Sequence, residues 1–582
     1  MSYVSVSGKN WIFKEFNSAD IKEFCEIYSL SHIVSKLLSI RKKNIENIDL
    51  FLNPTIKNLL PNPLRLKDMD IAISRIFKSI SSKEIIGIFG DYDVDGATST
   101  AILSLYFESI KQSTKIYIPD RRKEGYGPTI QSFNKLSDLG AKIILTVDCG
   151  TLSFDPINFI KKKNIDIIVL DHHQSDIKLP KALAIINPNR HDDSSNLNYL
   201  CAAGVCFMFI VGLNKKLRDT NWFKDNKIKE PNILNLLDLV SLGTVCDVVP
   251  LIGLNRAIVS QGLKIMKKRY NLGLKTLYDL CKIESQPNIY HLGYILGPRI
   301  NAGGRVGKSS HGVELLTSND PKKAYQIASD LDKSNLERKS IELLLIEKVD
   351  LEAKKYLEDP VLVLNGNNWH EGIIGIVASR IKEKYHKPTI LISITNSTGK
   401  GSARSIFGYD IGSQVIKATQ LGIVERGGGH KMAAGFTIKK DSIPVFRDFL
   451  IKSFNKKITD KSKVINLYLD TIIAPSAINE EFFLEVEKLG PFGSGNNEPK
   501  FVIEDLKVIS SQIVGDNHIK SILIGKDGKV FNGFSWNGKN TPLEQFLDKA
   551  NKKKINIAGR MRLNEWKGKK KVEFMIEDIS VN

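Results

Sequence analysis

The chain has 582 residues, well beyond the roughly 300 at which one hydrophobic core stops growing, so a single-domain protein is not expected. Its 42% hydrophobic and 25% charged residues exclude the disordered and fibrous classes and predict roughly three or four globular domains. The 84 Lys and Arg residues against 64 Asp and Glu give a net charge of +20, which favours a polyanionic partner such as nucleic acid, although A- and T-rich codons would also add lysines.

Residues 1–65 mix short helical patterns with loop signals and carry no recognisable chemistry. Residues 66–260 have a different pattern. Four short apolar runs, IIGIFG, TKIYIP, KIILTV and IDIIVL, are separated by stretches long enough to be helices. This alternation predicts an α/β domain with a parallel sheet and crossover helices.

Residues 261–358 are predicted to form a helical connector. Its last part, 320–358, has few helix breakers and places Ile327, Leu331 and Leu343 among many charges, which predicts one long, partly exposed helix between two lobes. In residues 359–455, the strand PVLVLNG, the helix GIIGIVASRIKEKYH and the strand KPTILISI predict a second α/β domain.

Residues 456–582 predict a small β-barrel, with the OB-fold as first choice. The predicted antiparallel strands are KVINLYLD, KFVIEDLKVIS, HIKSILIG, KVFNGFSW and KINIAGRMRL. Phe531, Phe534 and Trp536, with the basic run 567–571, suggest a platform for unpaired nucleotides. Alternation along the strands favours the other interpretation, in which these aromatic residues belong to the barrel core.

The six cysteines are scattered without a CxxC pair, which argues against a zinc knuckle, a redox pair or a disulfide framework. The first residues lack a basic segment followed by an apolar run, and the longest apolar stretch, 201–213, is too short to span a bilayer. We therefore expect a cytoplasmic protein that does not enter a membrane.

Acidic residues and histidines follow the predicted strands of residues 66–260. They are Asp91, Asp93 and Asp95 after the first strand, Asp148 after KIILTV, Asp171, His172 and His173 after IDIIVL, and Asp247 at the end of a further apolar run. Because the carboxyl ends of parallel strands face one crevice, these side chains are expected to converge.

So many carboxylates in one crevice would repel one another unless cations neutralised them. Oxygen-rich ligation with one or two imidazoles suits Mg²⁺ or Mn²⁺ better than structural zinc, and a pair of such ions supports phosphoester hydrolysis. Each part has a simpler interpretation on its own: a D-x-D-x-D-G stretch is often a solvated turn, and Asp148 could be a helix N-cap. The ordered set favours the metal site.

The stretches GDYDVDGATSTAIL, TVDCGT, VLDHHQ and LGTVCDVVPL resemble the four motifs of the DHH phosphoesterase superfamily. The stretches YILGPRINAGGRVG, WHEGIIGIVASRIKEKYHKPTI, GKGSARSI, ERGGGHKMAAGF and PFGSGNNEPKF extend the likeness toward its bacterial single-strand exonucleases, over about residues 70–505. The resemblance implies a DHH catalytic domain, a DHHA1 substrate-binding domain and a C-terminal OB-like barrel.

The resemblance also implies the roles of the acidic residues and histidines. The implied metal ligands are Asp93, Asp95, Asp148, His172 and Asp247, with Asp148 bridging two ions of Mg²⁺ or Mn²⁺. His173 would contact the scissile phosphate, supported by Asp91 and Asp171. Related pyrophosphatases have a histidine where this chain has Phe89, so one metal site is expected to be weaker or differently completed.

Polar and glycine residues outside these motifs are candidates to hold DNA. Consecutive glycines can form an anion nest, and Arg forks suit a terminal phosphate. The candidates are Arg121, Arg299, Arg305, Ser402, Arg404, Gly428, Gly429 and His430.

The resemblance implies a 5′-to-3′ exonuclease specific for single-stranded DNA that releases mononucleotides in DNA repair and recombination. It would act as a monomer beside a helicase and a single-strand-binding protein. One alternative is an oligoribonuclease or nucleotide phosphatase of the same superfamily, which the barrel and long helix disfavour. A non-catalytic DNA-binding relative is disfavoured because the carboxylates and the Asp-His-His motif are all present.

Overall fold

The computed structural model describes residues 3–581 except 122, 126, 456–464, 549–552, 567 and 568. The basic run 567–571 therefore lies partly outside the described residues. Short strands and helices occupy the N-terminal part: β1 (Val4–Ser5), β2 (Asn10–Phe13), α1 (Ser18–Tyr28), α2 (His32–Arg41), α3 (Ile48–Leu52) and α4 (Ile56–Leu59).

The first lobe alternates strands and helices, as predicted. Its elements are α5 (Met69–Ser81), β3 (Ile85–Gly90), α6 (Val94–Ser109), β4 (Thr114–Tyr117), α7 (Ile130–Asp138), β5 (Ala141–Val147), α8 (Phe154–Lys161), β6 (Asp166–Leu170), β7 (Ala184–Ile186), α9 (Ala202–Asp219), α10 (Trp222–Asp225), α11 (Leu237–Cys246) and α12 (Gly253–Met266). The strands form a parallel sheet in the order β4-β3-β5-β6-β7. The short strand β7 was not predicted.

Side chains of this sheet alternate between two buried faces. Ile88 and Leu145 point into a core shared with α6 and α9, whereas Phe89 and Ile144 pack on the opposite face, with Phe133 of α7. Strand β4, which follows β3 in the chain, pairs with one side of β3, and the next strand, β5, pairs with its other side. The carboxyl ends of β3 and β5 therefore flank a crevice at a switch point of the sheet, where α/β proteins place their ligands.

The connector is helical, as predicted. It comprises α13 (Leu272–Leu280), a π-helical segment (His291–Leu296), α14 (Gly297–Gly303), α15 (His311–Leu316) and α16 (Pro321–Ala353). The side chain of Asp320 caps α16, which has 33 residues. Leu331 of α16 packs in the core of the first lobe and Val349 in that of the second, so this helix joins the two lobes.

The second lobe is the predicted α/β unit, extended by a hairpin. Its elements are β8 (Leu362–Asn367), α17 (Glu371–Tyr385), β9 (Thr389–Thr395), β10 (Thr398–Arg404), α18 (Ile411–Gln420), β11 (Arg426–His430), β12 (Ala433–Lys439) and α19 (Ile443–Asn455). The sheet order is β11-β12-β10-β9-β8, with β8 and β9 parallel and the other neighbours antiparallel. The glycine-rich strand β11 lies at the edge.

The C-terminal part forms a closed OB-like barrel. Its elements are β13 (Asn466–Leu469), β14 (Thr471–Ile472), α20 (Glu480–Glu487), β15 (Phe501–Val514), β16 (His518–Ile524), β17 (Val530–Ser535), α21 (Glu544–Leu547), β18 (Ile555–Trp566) and β19 (Lys569–Val581). Strands β15, β16, β17, β19 and β18 pair in a ring. The run KVINLYLD was wrongly predicted as a barrel strand, because β13 pairs with β2 instead, and β19 completes the ring.

The N-terminal segment packs against this barrel. Phe24, Val34 and Leu38 of α1 and α2 join the barrel core, and β1 pairs with β19. The indole Nε1 of Trp11 donates to Asp578 Oδ2 at 2.7 Å. Residues more than 500 positions apart in sequence therefore form one hydrophobic core.

All six cysteines are free in the structure. Within the part of the chain that the structure describes, no helix combines the length and apolarity needed to cross a bilayer.

Candidate active site

The loop after β3 carries three carboxylates, and backbone amides hold two of them, Asp93 and Asp95, in place. Asp93 caps α6, its Oδ1 accepting from the Gly96 amide at 3.0 Å. Gly96 is required because a Cβ there would lie 2.6 Å from the carbonyl oxygen of Asp91. The carboxylate of Asp95 accepts from the amides of Ala202 and Ala203 at 2.6 and 2.9 Å, at the N-terminus of α9.

Asp148 and Asp247 approach the same crevice from two further elements. Asp148 directly follows β5 with φ +60°, a left-handed conformation that Asp tolerates better than most residues. Asp247 caps the C-terminus of α11, so the apolar run before it is a helix and not a strand. Helix α11 comes close because Gly243 has no side chain: a Cβ there would lie 2.8 Å from Asp95 Oδ1.

These side chains converge as predicted. The Nε2 atom of His172 lies 3.3 Å from Asp148 Oδ1, 3.6 Å from Asp247 Oδ2 and 3.7 Å from Asp95 Oδ2. Ligand atoms of Asp91, Asp93 and Asp148 also lie within 4.8 Å of one another. Asp148 thus stands between two groups of ligand atoms, and Asp91, expected to support the ligands, is itself within ligand distance.

Burial and the mutual repulsion of the carboxylates both disfavour negative charge in this crevice. Burial raises the pKa of Asp148 well above its ordinary value, and Asp93 and Asp95 raise it further. Burial and neighbouring carboxylates likewise raise the pKa of Asp91 and of Asp247. Bound cations would reverse this, because positive charge favours the ionised carboxylates.

The unpaired atoms of the crevice fit divalent cations. The buried Nε2 of His172 and Oδ1 of Asp91 have no hydrogen-bond partner among the residues that the structure describes. Burial lowers the pKa of His172, which keeps the imidazole neutral and able to ligate a metal. Carboxylate oxygens with one or two imidazoles form the donor set that Mg²⁺ and Mn²⁺ accept.

His173 is oriented by Asp171 beside the carboxylates. Its Nδ1 lies 2.8 Å from Asp171 Oδ1, which also accepts from the backbone amides of His172 and His173. Burial alone would lower the pKa of His173, but Asp171 overcomes burial and raises it to about 9. Asp171 Oδ2 accepts from the Thr151 amide at 3.1 Å.

Sequence reasoning missed a residue that fixes this arrangement. Asn187 directly follows β7, and its Nδ2 donates to the carbonyl of His173 at 2.8 Å and to Thr151 Oγ1 at 2.9 Å. The signal was present, because ALAIINPN is a fifth apolar run that ends in polar residues.

Phe89 is part of the core and not of the metal crevice. Its ring is fully buried and lies 5.9 Å from the rings of Tyr117 and Phe133 on the far face of the sheet. The Phe89 side chain therefore contributes nothing to the metal crevice, whereas Asp91, two residues later, offers a carboxylate.

Three predicted phosphate-binding arginines come together next to the crevice. We call Arg121, Arg305 and Arg404 the arginine pocket. Burial lowers the pKa of Arg305 to about 10, and burial lowers that of Arg404, in both cases assisted by the charge of Arg121. The guanidinium of Arg121 lies 5.0 Å from the Tyr92 ring, and Arg305 Nη1 donates to the Gly372 carbonyl at 2.7 Å.

The positive charge of the arginine pocket favours the binding of an anion close to the carboxylates. Burial and the charge of Arg121 disfavour the positive charges of Arg305 and Arg404, which a phosphate would stabilise, and Arg forks bind phosphate well. The charge of Arg121 opposes the rise in the pKa of Asp91, and the charge of Asp93 opposes the fall in the pKa of Arg305, so pocket and crevice interact electrostatically. Ser402, also predicted, accepts a hydrogen bond from Arg404 Nη1 at 3.2 Å.

Arg299 is not part of this pocket. Its Nε donates to Asp332 Oδ1 at 2.8 Å and its Nη1 to the Ile295 carbonyl at 2.8 Å. The contact with Asp332 ties α14 to α16 within the connector, so the guanidinium already has partners away from the arginine pocket.

The glycine run does not form the predicted anion nest. Gly427, Gly428 and Gly429 lie in the edge strand β11, and none has the positive φ that a nest requires. A Cβ at Gly429 would lie 2.3 Å from the Ala433 carbonyl, whereas a Cβ at Gly428 would meet nothing within 4 Å. Strand β11 is the edge of this sheet, so within the described residues one of its sides pairs with no other strand, and His430 at its end is exposed.

Comparison with known families matches three parts of the chain. Residues 85–244 match the DHH family, N-terminal domain, residues 358–456 the DHHA1 domain, and residues 469–578 the RecJ OB domain. The matched ranges correspond to the first lobe, the second lobe and the barrel.

Full-length relatives are similar over almost the whole chain. Single-stranded-DNA-specific exonuclease RecJ of Haemophilus influenzae is 33% identical, over 93% of this chain and 95% of the relative. RecJ of Bacillus subtilis is 31% identical, over 99% of this chain and 71% of the relative. The crystal structure of RecJ in complex with Mn²⁺ from Thermus thermophilus superposes with a TM-score of 0.81 at 25% identity, over 98% of this chain and 79% of that chain.

Proposed function

Because the chain belongs to the RecJ family of single-stranded-DNA-specific exonucleases, we propose that it hydrolyses single-stranded DNA from the 5′ end and releases mononucleotides. The observation that carries the proposal is the contiguity of two oppositely charged sites. Tyr92, the residue between Asp91 and Asp93, contacts both parts: the Arg121 guanidinium lies 5.0 Å from its ring, and a Cβ at Gly304, next to Arg305, would lie 3.0 Å from its carbonyl oxygen. A strand whose terminal phosphate lies among the arginines brings its first phosphodiester to the carboxylates.

We assign the metal ligands to two groups that share Asp148. One contains Asp91, Asp93 and Asp148, and the other contains Asp95, His172 and Asp247, with Asp148 3.3 Å from His172. Two ions of Mg²⁺ or Mn²⁺ bound there would polarise a phosphoryl oxygen and lower the pKa of water.

The protein's own groups orient the substrate. His173 lies on the open side of the ligand cluster, and with its pKa near 9 it carries a proton at neutral pH that it can donate to a phosphate oxygen. Asp171 and Asn187 fix the ring and the backbone of His173. The arginine pocket binds the terminal phosphate, and the resulting position of the strand determines its polarity.

This activity belongs to DNA repair and recombination, where single-stranded ends are trimmed. The protein would act as a monomer. The free cysteines support a reducing compartment, and we assign the protein to the cytoplasm. A helicase and a single-strand-binding protein would supply and protect the unpaired strand.

The test is digestion of 5′-labelled and 3′-labelled single strands, duplexes and short RNA with Mg²⁺, Mn²⁺ or EDTA. The proposal predicts that the 5′ label is released first, only from single-stranded DNA and only with metal. Release of the 3′ label first would contradict the polarity. Preference for short RNA would instead support the oligoribonuclease alternative.

A further inference from the structure

Two stacked tyrosines on the connector have no part in the chemistry described above. The ring centroids of Tyr290 and Tyr294 lie 5.3 Å apart, and the ring planes are inclined by 24°. Tyr294 is 73% exposed and Tyr290 47% exposed. Single exposed aromatic residues are common on protein surfaces, but an exposed stacked pair presents aromatic faces on which further rings can stack.

The tyrosine pair lies on a segment that contacts the turn carrying Asp247, one of the proposed metal ligands. Tyr290 directly precedes the π-helical segment His291–Leu296, and Tyr294 lies within it. The Leu292 carbonyl of this segment accepts a hydrogen bond from Cys246 Sγ at 3.4 Å. Asp247 is the next residue after Cys246. A Cβ at Gly297 would lie 2.5 Å from Cys246 Sγ, so the end of this segment and the turn that carries Asp247 are in direct contact.

The barrel adds a cation to the same pair. The guanidinium of Arg562, on β18, lies 5.3 Å from the centroid of the Tyr290 ring. Arg562 is exposed, and among the described residues it forms no ion pair, whereas Arg560 on the same strand pairs with Glu498 at 2.7 Å. Aromatic faces and an available guanidinium therefore meet where the barrel approaches the connector.

We propose that Tyr290, Tyr294 and Arg562 form a stacking platform for the unpaired bases of the strand that leads from the crevice toward the barrel. This inference rests on the proposed function, because it specifies where the same substrate continues. Every base has a π-face that a tyrosine can stack against, and an arginine adds cation–π and phosphate contacts. Bases in a duplex are already stacked on their neighbours, so the platform favours single strands.

The test uses 5′-phosphorylated oligodeoxynucleotides in which a single abasic site is moved one position at a time from the 5′ end. Binding is measured with Mg²⁺ in an Asp148→Asn background, in which the strand is not degraded. We expect a roughly tenfold loss of affinity when the abasic site occupies one or two particular positions, and little loss elsewhere.

Substitutions then assign those positions to the platform. Tyr294→Leu should weaken binding of the intact strand roughly tenfold and abolish the additional loss at the sensitive positions. Tyr294→Phe keeps an aromatic face and should retain the pattern. Tyr270→Leu is the matched control, because Tyr270 is 61% exposed outside the platform, and it should leave binding unchanged.

A uniform response to the abasic site in the Asp148→Asn protein would overturn the platform, whether or not the tyrosine variants fold. Equal binding by Tyr294→Leu and Tyr270→Leu would overturn it as well. The proposed function is tested separately by digestion with Mn²⁺. If that digestion fails while the abasic pattern persists, the platform stands and the enzymatic proposal falls.

Discussion

The acidic crevice and the arginine pocket are neighbouring sites of opposite charge, and they are built differently. Every crevice ligand comes from the first lobe, fixed by local turns and helix ends. The arginine pocket takes Arg121 from the first lobe, Arg305 from the connector and Arg404 from the second lobe. Hydrolysis therefore depends on the residues of one lobe, whereas recognition of the strand end depends on how the connector holds the two lobes together.

The largest expected effect is that of Asp148→Asn. Asn tolerates the left-handed backbone at this position and keeps the shape of the side chain, so the fold should survive. Hydrolysis should fall by about 10³-fold or more, because metal catalysis is worth several kcal/mol, while single-strand binding persists. The measurements are kcat and strand affinity.

The same variant should unfold at a higher temperature than the parent protein in EDTA, because one repelling carboxylate is removed. It should also gain less stability from Mn²⁺. Undiminished nuclease activity would show that the crevice is not the catalytic centre.

Asp171→Asn should have the next largest effect. The two carboxylate oxygens of Asp171 accept hydrogen bonds from the His173 ring and from the Thr151 amide. Asn has only one acceptor oxygen, because its nitrogen is a donor, so one of these hydrogen bonds is lost and the imidazole loses its orientation. We expect kcat to fall about 10- to 100-fold with an unchanged metal content. Loss of bound metal together with activity would instead make Asp171 part of the ligand set.

Arg121→Gln tests the pocket, with Arg299→Gln as its matched control. Loss of a charge-assisted contact to phosphate should reduce the preference for a 5′-phosphorylated over a 5′-hydroxyl strand by about tenfold. Arg299 is already paired with Asp332, so its substitution should leave that preference intact. The reverse outcome would move the end-recognition site to α14.

The smallest effects are expected at the edge strand β11. Gly428→Ala places its methyl group in open space, so the melting temperature should not change. If a strand binds along β11, the methyl group obstructs its close approach and should lower strand affinity by a few-fold. Gly429→Ala forces a Cβ against the Ala433 carbonyl and should destabilise the lobe by about 1–3 kcal/mol. Equal strand affinities for Gly428→Ala and the parent protein would remove β11 from the binding surface.

Much of the crevice could be predicted from sequence because its geometry is encoded locally. Asp93, Asp95, Asp148 and His172 each follow a short apolar run, and parallel strands bring such ends together. Asp247 was found by its motif, although its element is a helix. The ligand position of Asp91 could not be distinguished from a supporting one without side-chain distances.

Features that depend on long-range pairing were not predictable in the same way. The run Gly427–Gly429 has the composition of a turn, and only its pairing with β12 makes it a strand. KVINLYLD pairs with β2, more than 450 residues away, instead of entering the barrel. Arg299 and Arg305 lie in the same predicted motif, and nothing in the sequence shows that the Arg299 guanidinium binds Asp332 while Arg305 belongs to the arginine pocket.

The most direct test of the account is to crystallise the protein with Mn²⁺ and locate the ions by anomalous scattering. We predict two peaks, one within the Asp91, Asp93 and Asp148 group and one within the Asp95, His172 and Asp247 group. Crystals of the Asp148→Asn protein grown under the same conditions should show at least one of these peaks reduced. Absence of both peaks from the crevice of the parent protein, or their location on another surface, would contradict the account.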